Sequence, residues 1–389
     1  MSQELAYAII TPYTLYKSRT GGILARLITR TGLELVGARM FAPSPELVQR
    51  YSEAILSAND TQDRRIQELI RDYILKNLAP DPKTGRRRRV MMLLLQGEDA
   101  VRKVRSVVGN ISAERRGGET IRDTYGDLVL DEAGGVRYFE PAVLAAPNIE
   151  EARQKARLWA EYSDKDGGVV EETIVYAGDE KPQRTLVLIK PDNFRFPTGR
   201  PGNVIDFFSR TGLFIVGIKV HRFSVAEAME FYGPVREVLR TKLKDVVGGK
   251  AKAALEKELG FAIGPTETKQ LGELLGPAFG DNQFDAIVKF MCGSTPGECE
   301  ESKLNTPGSE KCIALVYEGV NAVNKIRDVL GPTDPSKAPP GSIRKEFGSN
   351  IMVNAAHASD AEDNAKREFG IVKVGDNTFK KVVEEFYGK

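Results

Sequence analysis

Apolar positions fall along this chain in two textures. Short unbroken runs, Val90 to Leu95, Leu186 to Ile189 and Ile313 to Tyr317, read as strands. Longer stretches carry apolar residues at helical spacing, as in Thr20 to Thr31 and Gly202 to Thr211, and each of these stops at an Arg-Thr-Gly and passes into a strand. The two textures recur in one order. Residues 20–39 are matched by 202–219, and the strand Val90 to Leu95 with Gln96-Gly97-Glu98-Asp99 is matched by Ile313 to Tyr317 with Glu318-Gly319-Val320-Asn321. Gly118-Glu119-Thr120-Ile121-Arg122 likewise corresponds to Pro340-Gly341-Ser342-Ile343-Arg344. The chain therefore reads as two copies of one unit. Each copy runs strand, helix, strand, helical region, strand, helix, strand, helix. That order predicts the α+β class: two ferredoxin-like, split βαβ domains with antiparallel sheets.

A length of 389 residues accommodates two or three domains. The expected division is 1–165, a linker over 166–182 rich in Gly, Asp, Glu and Lys, and 183–389. Inside the second domain, Val235 to Val246 and Lys250 to Leu259 carry helical spacing.

Charge narrows the functional classes. The 56 basic and 54 acidic residues nearly cancel, leaving +2, too weak a field to imply nucleic acid. Arg86-Arg87-Arg88-Arg89 stands alone before a strand without interleaved aromatics and reads as a solvated loop. The three cysteines, Cys292, Cys299 and Cys312, lack metal-ligand spacing. Cys292 and Cys299 flank a Gly/Pro-rich loop that would permit a disulfide, yet the odd count reads better as reduced and intracellular. Met1-Ser2-Gln3-Glu4-Leu5 has no signal-peptide character, and no apolar run reaches membrane-spanning length, so a soluble cytoplasmic protein is expected, with no membrane partner.

Of the two histidines, His221 follows a strand and reads as structural or exposed. His357 is different. It lies in Asn350-Ile351-Met352-Val353-Asn354-Ala355-Ala356-His357-Ala358-Ser359-Asp360, after a strand-like run (Ile351 to Val353) and before a helix start at Ser359-Asp360. An imidazole at a strand-to-helix junction can face a cleft, and its neutral form is nucleophilic near neutral pH. The plainer reading is a satisfied histidine of surface or core.

Upstream lies Leu186-Val187-Leu188-Ile189-Lys190-Pro191-Asp192; then come Glu318-Gly319-Val320-Asn321, Arg327, Gly331-Pro332-Thr333-Asp334-Pro335, the 340–344 segment, Asn354, His357 and Glu368. In this order and spacing, residues 183–375 resemble the nucleoside diphosphate kinase family. The resemblance implies transfer of the terminal phosphate of a nucleoside triphosphate to a nucleoside diphosphate, by a ping-pong route through phospho-His357. It implies that Glu368 accepts a hydrogen bond from the ring and fixes its tautomer, and that Lys190 and Tyr232 lie near the transferring phosphate. It further implies that Arg327, Thr333 and Arg344 grip the outer phosphates, a task suited to the planar guanidinium fork. Asn354 would hold the ribose or a phosphate oxygen, Phe284 would stack on the base, and Ile351 would add an apolar contact. Mg2+ would arrive with the triphosphate, with no metal cage of the protein's own. The chain departs from the family in two inserts, 233–283, placed to cover the cleft or to build a subunit contact, and 295–310, a Pro/Gly/Ser/Glu-rich loop.

The first copy lacks this chemistry. Thr11-Pro12-Tyr13 stands where the second copy has Lys190-Pro191-Asp192. Aligning Ala145-Ala146-Pro147 with Ala355-Ala356-His357 places Pro147 at the histidine position. Arg105 and Arg122 still match Arg327 and Arg344. A silent, structural copy is expected, standing in for one subunit of a dimer, so that a trimer of chains would mimic a hexamer. Two other readings use the same residues: a non-enzymatic tandem scaffold or nucleotide sensor, and a phosphohistidine relay to another protein.

Overall fold

The computed structural model describes residues 3–60, 62–114, 117–177 and 181–388. Met1, Ser2 and residues 178–180 of the expected linker lie outside these. The chain divides into two compact units: Met1–Val220 with Cys312–Lys389, and His221–Lys311.

The first unit is α+β and carries two antiparallel sheets. One contains β1 (Gln3–Ile10), β2 (Glu34–Phe41), β3 (Val90–Glu98), β6 (Val143–Ala145) and β7 (Gly167–Gly168), while β4 (Asp127–Leu130) and β5 (Val136–Glu140) form a separate hairpin. The other contains β8 (Gln183–Ile189), β9 (Phe214–His221), β10 (Cys312–Gly319) and β11 (Ala356–Ala358). The order β6-β1-β3-β2 in the first recurs as β11-β8-β10-β9 in the second. The apolar runs Val90 to Leu95 and Ile313 to Tyr317 fill the interior strands and are buried throughout, as an unbroken run requires.

Local devices also recur. Each interior strand turns into its next helix through a residue in the left-handed region, Asp99 (φ 55°) or Asn321 (φ 56°), types that tolerate it. Arg39 and Lys219 are both buried, and both send nitrogens to carbonyls at a helix C-terminus: Arg39 to Ser163 and Gly167, Lys219 to Val372 and Lys373. Helices Thr20–Thr31 and Arg200–Phe208 cross where Gly21 meets Gly202; a Cβ on Gly202 would lie 2.3 Å from the Gly21 carbonyl oxygen. Only hydrogen fits there, so the two glycines set the close approach of the helices.

Four expectations need correction. Gly167 and Gly168, inside the expected linker, pair with Phe41 and Met40 as a short edge strand. Ile351 to Val353 form no strand; the strand is Ala356–Ala358, with His357 at its centre. The helix that follows begins at Glu362 rather than Ser359, with Glu362 and Asp363 in its first turn. Ser359 cannot serve as the start because its backbone and hydroxyl are committed elsewhere: its N–H donates to the Leu186 carbonyl and its hydroxyl to Glu368.

The fourth correction concerns the second unit, which has three helices: Val225–Lys242, Lys244–Leu259 and Pro265–Cys292. The break between the first two falls at Leu243, inside the expected helical segment Val235 to Val246. The helix runs through Gly248 because a neighbouring helix presses on that face: a Cβ there would lie 2.6 Å from the Thr268 carbonyl oxygen. Arg236 and Arg240 both bond Asp281, joining the first and third helices of this unit.

Candidate active site

The His357 strand is placed by β8. Ala356, His357 and Ala358 pair with Ile189, Leu188 and Val187, so the histidine sits beside the interior strand that ends in Lys190. Small residues on either side of it are buried and let this short strand lie flat against β8.

A carboxylate holds the ring through Nε2. His357 Nε2 lies 3.1 Å from both Oε1 and Oε2 of Glu368, on helix Glu362–Val372. Glu368 is buried and also accepts from the Ser359 hydroxyl at 2.6 Å. An acceptor-only carboxylate facing Nε2 favours the tautomer with hydrogen on Nε2 and the lone pair on Nδ1. Ser359 in turn fixes the carboxylate. It was legible in the sequence only as a helix start, and its role as the second donor to Glu368 emerges from the fold.

Lys190 is 7% exposed, and its ammonium donates to the Met352 carbonyl and, at 2.9 Å, to Asn354 Oδ1. Burial pushes its pKa down to about 8, and the nearby Arg344 pushes the same way, while Asp192 opposes both. Asp192 itself is raised, again chiefly by burial, against the pull of Lys190 and Arg200.

Asn354 is fully engaged: Nδ2 donates to the Thr333 and Ile351 carbonyls at 3.1 and 2.8 Å, while Oδ1 accepts from Lys190. Its carboxamide thus organises the loop around Lys190 and is not open to a ribose in this state. The Thr333 and Ile351 side chains remain exposed. Arg344 Nη1 and Nη2 donate to the Gly331 and Ala356 carbonyls at 2.9 and 3.3 Å, and Arg327 donates to the Asp360 carbonyl at 3.3 Å. Lys190, Arg327, Thr333, Arg344, Ile351, Asn354, His357 and Glu368 are therefore gathered around the 351–360 segment.

Tyr232 and Phe284 belong to the second unit. Tyr232 stands edge-on to Phe231, with ring centroids 5.0 Å apart. Phe284 is 2% exposed, with the Arg236 guanidinium 5.5 Å from its ring centre. A ring so enclosed offers no open face to a base, and the expected stacking role is corrected accordingly: the three-helix packing consumes it.

The register of the first sheet corrects one more expectation. Val143 pairs with Ile10 as Ala356 pairs with Ile189, and Ala142 (φ 58°) precedes its strand as Ala355 (φ 70°) precedes the other. The position matching His357 is therefore Leu144, opposite Ile9, and not Pro147. Alanine-rich sequence on both sides made the three-residue slip invisible. Near Thr11, which matches Lys190, the carboxylate of Glu140 accepts from the Thr11 hydroxyl (2.7 Å), the Tyr73 hydroxyl (2.7 Å) and the Ala142 N–H (3.0 Å).

Among the described residues, no group of three or more His, Cys, Asp or Glu side chains is placed to hold a metal ion, and no helix is long and apolar enough to cross a membrane.

The chain is similar to known proteins over about half its length. The family model described as Nucleoside diphosphate kinase matches residues 301–374. A nucleoside diphosphate kinase of Campylobacter hominis is 31% identical over 193 residues, 50% of this chain and 96% of that protein. One from an Anaeromyxobacter species is 32% identical over 48% of this chain and 86% of its own length. An NDP kinase structure from Pyrobaculum aerophilum, 28% identical, aligns over 49% of this chain and 95% of its own, with a TM-score of 0.31. Relatives above 30% identity that are matched over nearly their whole length establish the affiliation: the chain belongs to the nucleoside diphosphate kinase family.

Proposed function

We propose that this protein is a nucleoside diphosphate kinase whose chemistry resides in residues 183–389 and passes through phospho-His357. The observation that carries this reading is the His357–Glu368–Ser359 chain of hydrogen bonds, which directs the ring lone pair to Nδ1.

In the first half-reaction Nδ1 attacks the terminal phosphorus of a Mg-bound nucleoside triphosphate. The N–P bond forms as the bond to the bridging oxygen breaks, and that oxygen leaves with the electron pair on the nucleoside diphosphate. In the second half-reaction a terminal oxygen of the acceptor diphosphate attacks the same phosphorus, and the N–P bond returns its electrons to Nδ1. The hydrogen on Nε2 stays with the ring, and Glu368 stabilises the positive charge that the ring gains. Lys190 supplies charge to the transferring group, and Arg327, Arg344 and Thr333 bind the outer phosphates. Arg344 and Asn354 also shape the site through backbone carbonyls, a second task beside any contact with the nucleotide. Mg2+ enters as part of the substrate.

Residues 1–165 are proposed as a second, degenerate copy of the same ferredoxin-like fold, arisen by tandem duplication. The recurring strand order, the shared left-handed positions before β6 and β11, and the matched roles of Arg39 and Lys219 support this. Leu144 at the histidine position and Glu140 near Thr11 support its silence, since an internal carboxylate repels phosphate. The substrates place the protein where nucleotides are made and used, in the cytoplasm, and the paired copies favour assembly into a trimer of chains.

The test is intact-mass spectrometry after brief exposure to Mg-ATP at neutral to alkaline pH, beside His357→Ala. One added phosphate, absent from the variant and discharged by a nucleoside diphosphate, is expected. No uptake by the wild type, despite nucleotide binding, would replace the enzyme with a scaffold or sensor.

A further inference from the structure

The turn after β8 holds a side chain that the proposed chemistry does not use. Asn193 is 1% exposed and fully bonded. Its Nδ2 donates to the Lys190 carbonyl at 2.9 Å and to the Ala355 carbonyl at 2.7 Å, and its Oδ1 accepts from Arg200 Nε at 2.9 Å. Arg200 Nη2 donates in turn to Asp192 Oδ2 at 3.1 Å and to the Phe347 carbonyl, at the end of the helix that bears Arg344. One carboxamide therefore ties together the end of the Lys190 strand, the residue two before His357 and, through Arg200, the Arg344 helix.

The middle link is the telling one. Ala355 has φ 70°, a left-handed conformation that costs a residue with a Cβ and persists only where its surroundings over-determine it. Its carbonyl accepts from the Lys190 N–H at 2.9 Å as well as from Asn193. Loss of the second bond lets the kink relax toward extended backbone, turning the start of β11 and the ring two residues on. The first sheet pins its matching residue differently. The hydroxyl of Thr14, three residues after Thr11 as Asn193 is three after Lys190, lies 2.9 Å from the Thr11 hydroxyl, and Ala142 is fixed through its N–H by Glu140. The carboxamide clamp belongs to the sheet that carries the histidine.

We propose that Asn193, braced by Arg200, is a positioning residue: it holds the left-handed Ala355 and thereby sets the orientation of His357 relative to Glu368 and Lys190. This rests on the phospho-His357 reading, and the test separates the two. Full-length Asn193→Ala, Asn193→Ser and wild type are compared in single-turnover phosphoryl transfer from Mg-ATP, in nucleotide Kd, and by 15N NMR of the His357 ring at pH 8, with His357→Ala assigning the resonance. Asn193→Ala should slow transfer about tenfold to hundredfold, the scale of a small misplacement at a reacting centre, while leaving nucleotide Kd within about threefold. Its His357 nitrogens should move away from the Nε2–H tautomer, and Asn193→Ser, which retains one donor, should recover part of both effects. A wild-type rate and spectrum in Asn193→Ala overturns the proposal, as does an equal fall in transfer and binding, which would mark general loosening. Absence of transfer in the wild type sinks the kinase reading instead, and the NMR shift alone then decides the positioning role. If Asn193→Ala does not fold, Arg200→Lys, which keeps the charge but loses the fork, is read by the same assays with the same outcomes.

Discussion

His357 and Leu144 occupy the same place in two sheets of one unit, and their side chains differ in kind: an imidazole in one, an alkyl chain in the other. Both follow a left-handed alanine, both lie on a three-residue strand, and both strands are edged against a strand that runs into a Pro-containing turn. Arg122 even repeats Arg344: its terminal nitrogens reach the Gly109 and Val143 carbonyls as those of Arg344 reach Gly331 and Ala356. What differs is what the polar groups face. Around His357 a buried carboxylate faces an imidazole, and a buried lysine faces a backbone carbonyl and an amide. Near Leu144 a buried carboxylate faces two hydroxyls and a backbone N–H, which satisfy it by hydrogen bonds. Backbone geometry, then, recurs where the side chains differ, because the backbone bonds stabilise the fold whatever the side chains do.

The sharpest way to break this comparison is to remove the nucleophile. His357→Ala should lower nucleoside diphosphate kinase turnover by about a thousandfold or more, with no phosphate detected by intact mass. Phosphate taken up by that variant would mean that the first sheet is not silent. Next in size is Glu368→Gln, which leaves the ring in place but removes the acceptor that fixes its tautomer. A fall in kcat of about a hundredfold is expected, with KM nearly unchanged; unchanged kcat would show that Ser359 and the backbone suffice.

The pH profile tests the lysine. With a folded pKa of about 8, Lys190 is protonated below that value and neutral above it. Turnover of the free enzyme, read as kcat/KM, should therefore fall on an alkaline limb near pH 8, and Lys190→Arg should move that limb upward. Stability runs the other way. Between the folded value and the higher value of an unfolded lysine, the unfolded chain binds more protons, so stability rises with pH across that window. A urea series from pH 7.5 to 10, compared with Lys190→Met, checks the sign, and a slope unchanged in the variant would show that another group titrates there.

The smallest expected effect lies in the first sheet. Burial raises the Glu140 carboxyl above the usual carboxylate range, against the pull of Tyr73 and Thr11. Through that window the folded state binds more protons, so Glu140 contributes stability at low pH that is lost as pH rises past its folded pKa. Glu140→Gln should remove this slope, alter stability by about 1 kcal/mol, and leave phosphoryl transfer untouched. A loss of transfer would tie the two sheets together functionally.

Much of this was legible in the residues. The unbroken apolar runs fixed the interior strands, and the Arg-Thr-Gly stops fixed where helices give way to strands, because both patterns depend on a few neighbouring residues. His357, Lys190, Arg327, Arg344 and Glu368 were recognisable by order and spacing. The failures were of another kind. Ile351 to Val353 looked like a strand because it is apolar, but Lys190 and Asn354 take its backbone carbonyls for a loop. Phe284 looked available because it is aromatic, yet it is enclosed. Pro147 looked like the histidine's counterpart because one alanine resembles the next.

The sequence by itself determined the order of elements and the course of the apolar strands, since these follow from local periodicity and residue type. Only the tertiary structure decided that Leu144 matches His357, that Ser359 steadies Glu368 and that Asn193 holds Ala355. Those choices depend on strand register and on hydrogen bonds between residues far apart in the chain, and one residue's slip in register reassigns every partner.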